Sequence, residues 1–327
     1  MTFLDGIRRR QLLGCLALPA IAPLAQAATY PTRPIRVIVP FPPASIPTVL
    51  LRSISVLTEP DLGVPFVIDN KPGGNTFIGM GAGASAEPDG YTLVQTASAI
   101  DVLHPVLYSK LPYDPARLVP LTVIGSSPYV VIVPAQLNVN SLAELVELIR
   151  AKPGGYNYAS AGIGGPGHLF AQKFEKEAGL KMEHVQFAGS APVHLSMMRA
   201  DVHLYFDVLN SALPKIQEGR FKALAVGMET RYPGLPDVPT LDELGHPGYL
   251  MMAWYGLRAP RGTPQAAIDR LMEALNKALG NQALRDQYAA VGLLVGTPGK
   301  PQDMSDRIAT ERARWAPILR EFNVRLE

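Results

Sequence analysis

The chain has 327 residues, with 30 basic and 28 acidic side chains, six histidines and one cysteine. So slight a positive balance offers no basic face with which to displace counterions, and no nucleic-acid partner is expected. A lone cysteine excludes a disulfide framework and a cysteine-ligated metal centre.

From the N-terminus, residues 1–27 read as an export signal. Arg8, Arg9 and Arg10 precede an apolar run from Leu12 to Leu24, and Ala25 and Ala27 flank a cut expected near Ala27. The run is shorter than the ~20 residues a spanning helix needs, and Pro19 and Pro23 interrupt it. Cys15 precedes most of the run, whereas a lipoprotein cysteine follows it, so no lipid anchor is expected. The paired arginines leave both the twin-arginine and the general export route open. Cleavage there would remove Arg8, Arg9, Arg10, Asp5 and Cys15, leaving a mature chain with 27 basic and 27 acidic residues. About 300 residues exceed what one compact core usually organises, so two domains are expected. No low-complexity tract separates them, which points to ordered crossing segments.

Along the mature chain, short β-branched runs alternate with helical stretches. The strands are expected at 35–41, 66–70, 91–97, 129–134, 156–161, 182–187, 202–207 and 221–227. This is the pattern of an α/β fold. Ser141 with Glu144 and Thr240 with Glu243 read as capping boxes, Thr263 precedes a first-turn Pro264, and Gly179 suits a helix end. Two amphipathic helices are expected over 264–280 and 304–322. In open α/β sheets ligands gather at the carboxyl ends of strands. The turns there, "PPASIPT" after Phe41, "KPGGNT" after Asn70, "SAID" after Ala97, "GIGGPGH" after Ala161, "AGSAP" after Phe187 and "VLNSALP" after Asp207, are small, polar and nearly uncharged.

Gly162, Gly164 and Gly167 stand at G-x-G-x-x-G spacing before a helix. That spacing serves a pyrophosphate, a purely structural turn or a carboxylate cradle. A dinucleotide site needs an acid at the end of the next strand, which here ends "HVQF", and Pro166 removes one donor from the turn; the carboxylate cradle is favoured. No G-x-S-x-G, H-E-x-x-H or P-loop sequence occurs, and the six histidines stand singly, so neither catalysis, metal nor cofactor is expected. Asp207, ending an apolar run, either accepts hydrogen bonds from a ligand or pins a neighbouring turn.

"YPTRPIRVIVPFPP" (30–43), "PDGYTL" (88–93), "LPYDP" (111–115), "NYASAG" (157–162), "FAGSAPVHL" (187–195), "LPDVPTLDELG" (235–245) and "WYGLRAPRGTP" (254–264) together resemble the Bug, or tripartite tricarboxylate transporter, periplasmic solute-binding proteins. The resemblance implies a type II-like Venus flytrap of two lobes, 28–128 plus 256–327 and 129–255, joined by a hinge of two crossing segments. It implies a monomer that captures a small organic carboxylate between the lobes for membrane transport subunits, or for a membrane sensor. By position, the first-lobe contacts are Phe41, Ala44, Ser45, Thr48 and Ser98. Those of the second lobe are Ala161, Gly162, Ile163, Gly164, Gly165, Gly167, His168, Ser190 and Asp207. Where the family has glycines and an Asp after "FPP" this chain has Ala44, Ser45 and Thr48, and after "NKPG" it has Gly74, Asn75 and Thr76. Each added Cβ restricts backbone approach, so the family's ligand identity does not carry over.

Overall fold

The computed structural model describes residues 30–250 and 252–322; the export signal expected over residues 1–27 lies outside them. The chain runs β1 (Ile35–Val39), α1 (Ile46–Leu62), β2 (Phe66–Asn70), α2 (Phe77–Ala84), β3 (Thr92–Ala97), α3 (His104–Leu107), β4 (Leu118–Pro134), α4 (Leu142–Ala151), β5 (Asn157–Ser160), α5 (Pro166–Glu177), β6 (Glu183–Gln186), α6 (Ser190–Met198), β7 (Leu204–Val208), α7 (Leu209–Gln217), β8 (Phe221–Val226), β9 (Met252–Pro260), α8 (Gln265–Leu279), α9 (Gln282–Ala289), β10 (Leu294–Val295) and α10 (Pro301–Glu321). It is the expected α/β alternation, and each of the eight expected strands is present.

The strands form one path, β2-β1-β3-β9-β4-β7-β5-β6, with β8 and β10 also paired to β4. Parallel neighbours flank β1 and β5, the arrangement that βαβ crossovers produce, while β9 runs antiparallel to both β3 and β4. The 17-residue β4 belongs to two sheet halves: Leu118–Pro128 pair with β9, and Tyr129–Pro134 with β7 and β8. One uninterrupted strand therefore carries the chain from half to half. β9 carries it back and is already paired with β4 at Met252.

Each half has its own apolar interior. Ile35, Val37, Leu50, Ile54, Leu257 and Leu275 pack in the first, whereas Val130, Ile132, Val193, Met197, Leu213 and Phe221 pack in the second. α10 spans both. Met304 near its start lies against Gly256, while farther on the Trp315 ring stands 5.1 Å from that of Phe170 on α5. The Ser141 hydroxyl accepts from Glu144 N–H at 3.1 Å and opens α4 as expected. The Thr240–Glu243 box also closes, at 3.1 and 3.0 Å, but it leads into a turn instead of the expected helix. Gly245 and Gly248, both at positive φ, and Pro247 interrupt the chain too soon for helix propagation.

Candidate functional site

Strands β5 and β7 end side by side, and the turns that leave them start α5 and α7; the turn after β6 starts α6. Gly189 N–H donates to Ala161 O (3.1 Å) and Phe187 N–H to Ser160 O (2.9 Å), which lashes the β6–α6 turn to the β5–α5 turn. Two helix N-termini thus stand together. In α5 the first intrahelical bond runs from Leu169 N–H to Gly165 O (3.1 Å), so the Gly167 and His168 amides precede the ladder and are free to serve a ligand. The partial positive charge of both N-termini favours an anion, by about 0.3–1 kcal/mol for each helix.

The glycine spacing has local explanations. Gly164 has φ +76°, in the left-handed region, and its N–H donates to His168 Nδ1 at 3.3 Å. Gly167 lies where an added Cβ would come within 2.4 Å of Phe206 O, so only glycine lets α5 sit this close to β7. His168 accepts that bond as a neutral imidazole. Burial, reinforced by the neighbouring His184 ring at 4.3 Å, lowers its pKa to about 4.

A cavity of about 240 Å³ opens on this surface, and the structure brings to it Ala161, Gly162, Ile163, Gly164, Gly165, Gly167, His168 and Ser190 of the expected residues. Tyr129, Tyr205, Phe206 and Val208 complete that side. Ala99, Leu103, His104 and Leu107, from a π turn over 99–103 and from α3, form the opposite wall with Asn75. Burial lowers the His104 pKa to about 4 as well. No lysine, arginine, aspartate or glutamate among the described residues lines the cavity.

Phe41, Ala44, Ser45, Thr48, Ser98 and Asp207 do not line it. Thr48 is wholly buried, its hydroxyl donating to Pro42 O (3.1 Å) and lying 2.9 Å from Ser45 Oγ. Asn70 Nδ2 donates to Phe41 O at 2.8 Å, so that loop is tied to β2 and to itself. Ala44 is exposed, and the Phe41 ring stands edge-on to Tyr255 at 6.2 Å. Ser98 is buried one residue short of Ala99, which takes its expected place on the wall.

Asp207 is fully buried and makes the bonds that a pinning role requires. Its Oδ1 accepts from Ser190 Oγ (2.9 Å) and from Val208 N–H (2.8 Å), and its Oδ2 accepts from His194 Nε2 (2.5 Å). With its own proton given to Asp207, Ser190 Oγ accepts from Tyr205 Oη (2.9 Å). Burial and the Asp207 charge raise the Tyr205 pKa well above the usual phenol range, so that donor keeps its proton.

The sequence had marked the turns that hold Asn75 and Ala99, but not Leu103 and Leu107, whose apolar character reads as core, nor His104, which reads as a lone histidine. Tyr129 and Tyr205 sit inside strands and carried no signal. No group of three His, Cys, Asp or Glu among the described residues is placed to hold a metal, and no helix there is long and apolar enough to cross a membrane.

Known proteins share both sequence and architecture with this chain. A family model described as the tripartite tricarboxylate transporter family receptor matches residues 50–324. Protein BugT of Bordetella pertussis is 32% identical over 316 residues, 95% of this chain and 96% of BugT. The structure of Rpa4515 from R. palustris with adipate superimposes with a TM-score of 0.80 at 32% identity, covering 89% of this chain and 97% of that one. MatC from Rhodopseudomonas palustris with bound malate gives 0.76 at 28% identity, over 89% of this chain and 100% of that one. An α/β architecture of two sheet halves, paired helix N-termini on an uncharged cavity and a match this long lead to one conclusion: the chain belongs to the tripartite tricarboxylate transporter family receptors, which are periplasmic solute-binding proteins and not enzymes.

Proposed function

We propose that this protein captures a small organic carboxylate in the cavity between its sheet halves and delivers it to the membrane subunits of a tripartite tricarboxylate-type transporter. The observation that carries the reading is the pairing of the α5 and α6 N-termini on a cavity with no charged side chain in its lining among the described residues. The carboxylate accepts from Gly167 N–H, His168 N–H and the amides that open α6, so backbone dipoles take the place of an arginine. Asp207 does not meet the ligand; it positions Ser190, and with it the start of α6. The carboxylates held by the two R. palustris neighbours, adipate and malate, support the ligand class.

The lobes are 28–128 with 256–327, and 129–255. Strand pairing favours extending the first of these back to Met252, and helix packing favours α10 as a strap across both. Closure about β4 and the start of β9 would draw the Asn75 wall toward the cradle, a hinge motion that buries the anion. The protein acts as a monomer, exported and cut near Ala27.

A thermal-shift screen of the mature protein with mono-, di- and tricarboxylates and with amino acids tests the ligand class. Binding to the folded state alone raises Tm by mass action. Rises with organic acids, and none with nucleotides or with the amides of the same acids, are expected; saturable nucleotide binding contradicts the reading.

A further inference from the structure

The cradle serves one end of a ligand, and the opposite wall meets the other. Leu103 and Leu107 make that wall apolar. His104, only 6% exposed, holds its ring edge-on to Phe77 and Tyr108, each at 5.4 Å, and its Nδ1 has no hydrogen-bond partner among the described residues. The cations behind the wall are committed elsewhere: Arg258 Nε donates to Asp101 Oδ2 (3.1 Å), and Arg312 Nε to Asp101 O (2.7 Å). A second carboxylate at this wall would be desolvated with no positive partner.

Asn75 is the polar feature of the wall's rim. It has φ +51° and Thr76 has φ +75°, two successive non-glycine residues in the left-handed region, where a β-branched Thr is rare. Such backbone persists only where its surroundings hold it. Here it aims the Asn75 amide at Tyr108, whose hydroxyl accepts from Nδ2 at 2.5 Å and whose ring Phe77 supports edge-on at 5.0 Å. The second N–H and the carbonyl oxygen of that amide make no bond among the described residues, so a neutral donor and acceptor stand at the exposed rim of the cavity.

We propose that Asn75 determines specificity, and that the ligand is a monocarboxylate with an uncharged far end: apolar against Leu103 and Leu107, with a hydroxyl or carbonyl oxygen at Asn75. This rests on the reading of the cradle as a carboxylate site.

Calorimetry with two matched sets tests it: hexanoate, 6-hydroxyhexanoate and adipate, and benzoate, 4-hydroxybenzoate and terephthalate. In the set that fits the cavity, the wild type is expected to bind the hydroxy acid at least tenfold more tightly than the diacid. Asn75→Gly, which suits the left-handed backbone and removes the amide, is expected to cut the ratio of hydroxy-acid to parent-acid affinity at least fivefold, with an unchanged circular dichroism spectrum. A diacid that binds more tightly than its hydroxy acid, or a ratio that Asn75→Gly leaves untouched, overturns the proposal while the carboxylate reading stands. If no acid of either set binds, both fall.

Discussion

One side of the cavity is built around a backbone turn, 161–168 with the start of α6, beside the side chains of Tyr129, Tyr205, Phe206 and Val208; the other is Leu103, His104 and Leu107 with the Asn75 amide. Each side rests on a buried carboxylate turned away from the cavity, Asp207 beneath the cradle and Asp101 beneath the opposite wall. Backbone donors recognise the charge common to all carboxylates, whereas side chains differ from one chain to the next. On the proposed reading the cradle carries ligand class and the opposite wall carries ligand identity.

The largest expected effect lies under the wall. Burial outweighs the Arg258 guanidinium and pushes the Asp101 carboxyl above its usual range. Arg258→Met removes the guanidinium that donates to the carboxyl and leaves only Arg312 on the Asp101 carbonyl, and urea unfolding at pH 7 is expected to show a loss of about 3–5 kcal/mol. A loss under about 1 kcal/mol, the scale of an exposed pair, would remove Asp101 as the wall's support.

Acid should weaken both sides together. His104 and His168 have pKa values lowered to about 4 in the folded protein, against 6.5 for an ordinary histidine. Between those values the unfolded chain binds the extra protons, so stability is fully present above pH 6.5, falls as pH drops through the window and levels off below about 4. Each histidine is expected to contribute on the order of 3 kcal/mol to that fall. Comparing the wild type with His104→Gln and His168→Gln at pH 7.5 and 4.5 isolates each share; equal pH slopes in all three contradict the assignment.

Beneath the cradle, Asp207→Asn keeps the shape but weakens the bonds from Ser190 and His194. A stability loss of about 1–3 kcal/mol is expected, with affinity reduced alike for every acid tested. A loss confined to ligands bearing a hydroxyl or an ammonium group would show that Asp207 meets the ligand after all. Gly167→Ala drives a Cβ against Phe206 O and is expected to cost about 1–3 kcal/mol.

The smallest effect separates the loop after Phe41 from the site. Thr48→Val removes a buried hydroxyl bonded to Pro42 O, Ser45 and Asn70, so about 1 kcal/mol of stability is expected to go while affinity stays within twofold. A tenfold loss of affinity would return that loop to the ligand.

These differences also explain what the sequence could tell. Gly164 and Gly167 announce themselves because left-handed backbone and close helix–strand approach both demand glycine, and the alternating β-branched runs give the sheet. The opposite wall is hidden, because Leu103 and Leu107 carry the same apolar signal whether they face a core or a cleft. The burial of Asp207 and Thr48 was equally illegible: a polar residue in or after a strand looks the same in sequence whether it meets a ligand or turns inward, as Asp207 does to Ser190 and Thr48 to Pro42 O. The Thr240–Glu243 box misled for a related reason, since cap bonds need only one turn, whereas helix continuation depends on the residues beyond it, here Gly245, Pro247 and Gly248.

On the proposed reading, backbone N–H groups at the starts of α5 and α6 hold the carboxylate. An amide nuclear magnetic resonance titration of nitrogen-15-labelled protein with the strongest-binding acid from the thermal-shift screen reads those donors one by one. New hydrogen bonds to an anion are expected to move the Gly167, His168 and Ser190 amide protons downfield, saturating with the calorimetric affinity, while the matched uncharged amide leaves them in place. Saturation with those three resonances unmoved, or the same shifts from the uncharged amide, would contradict it.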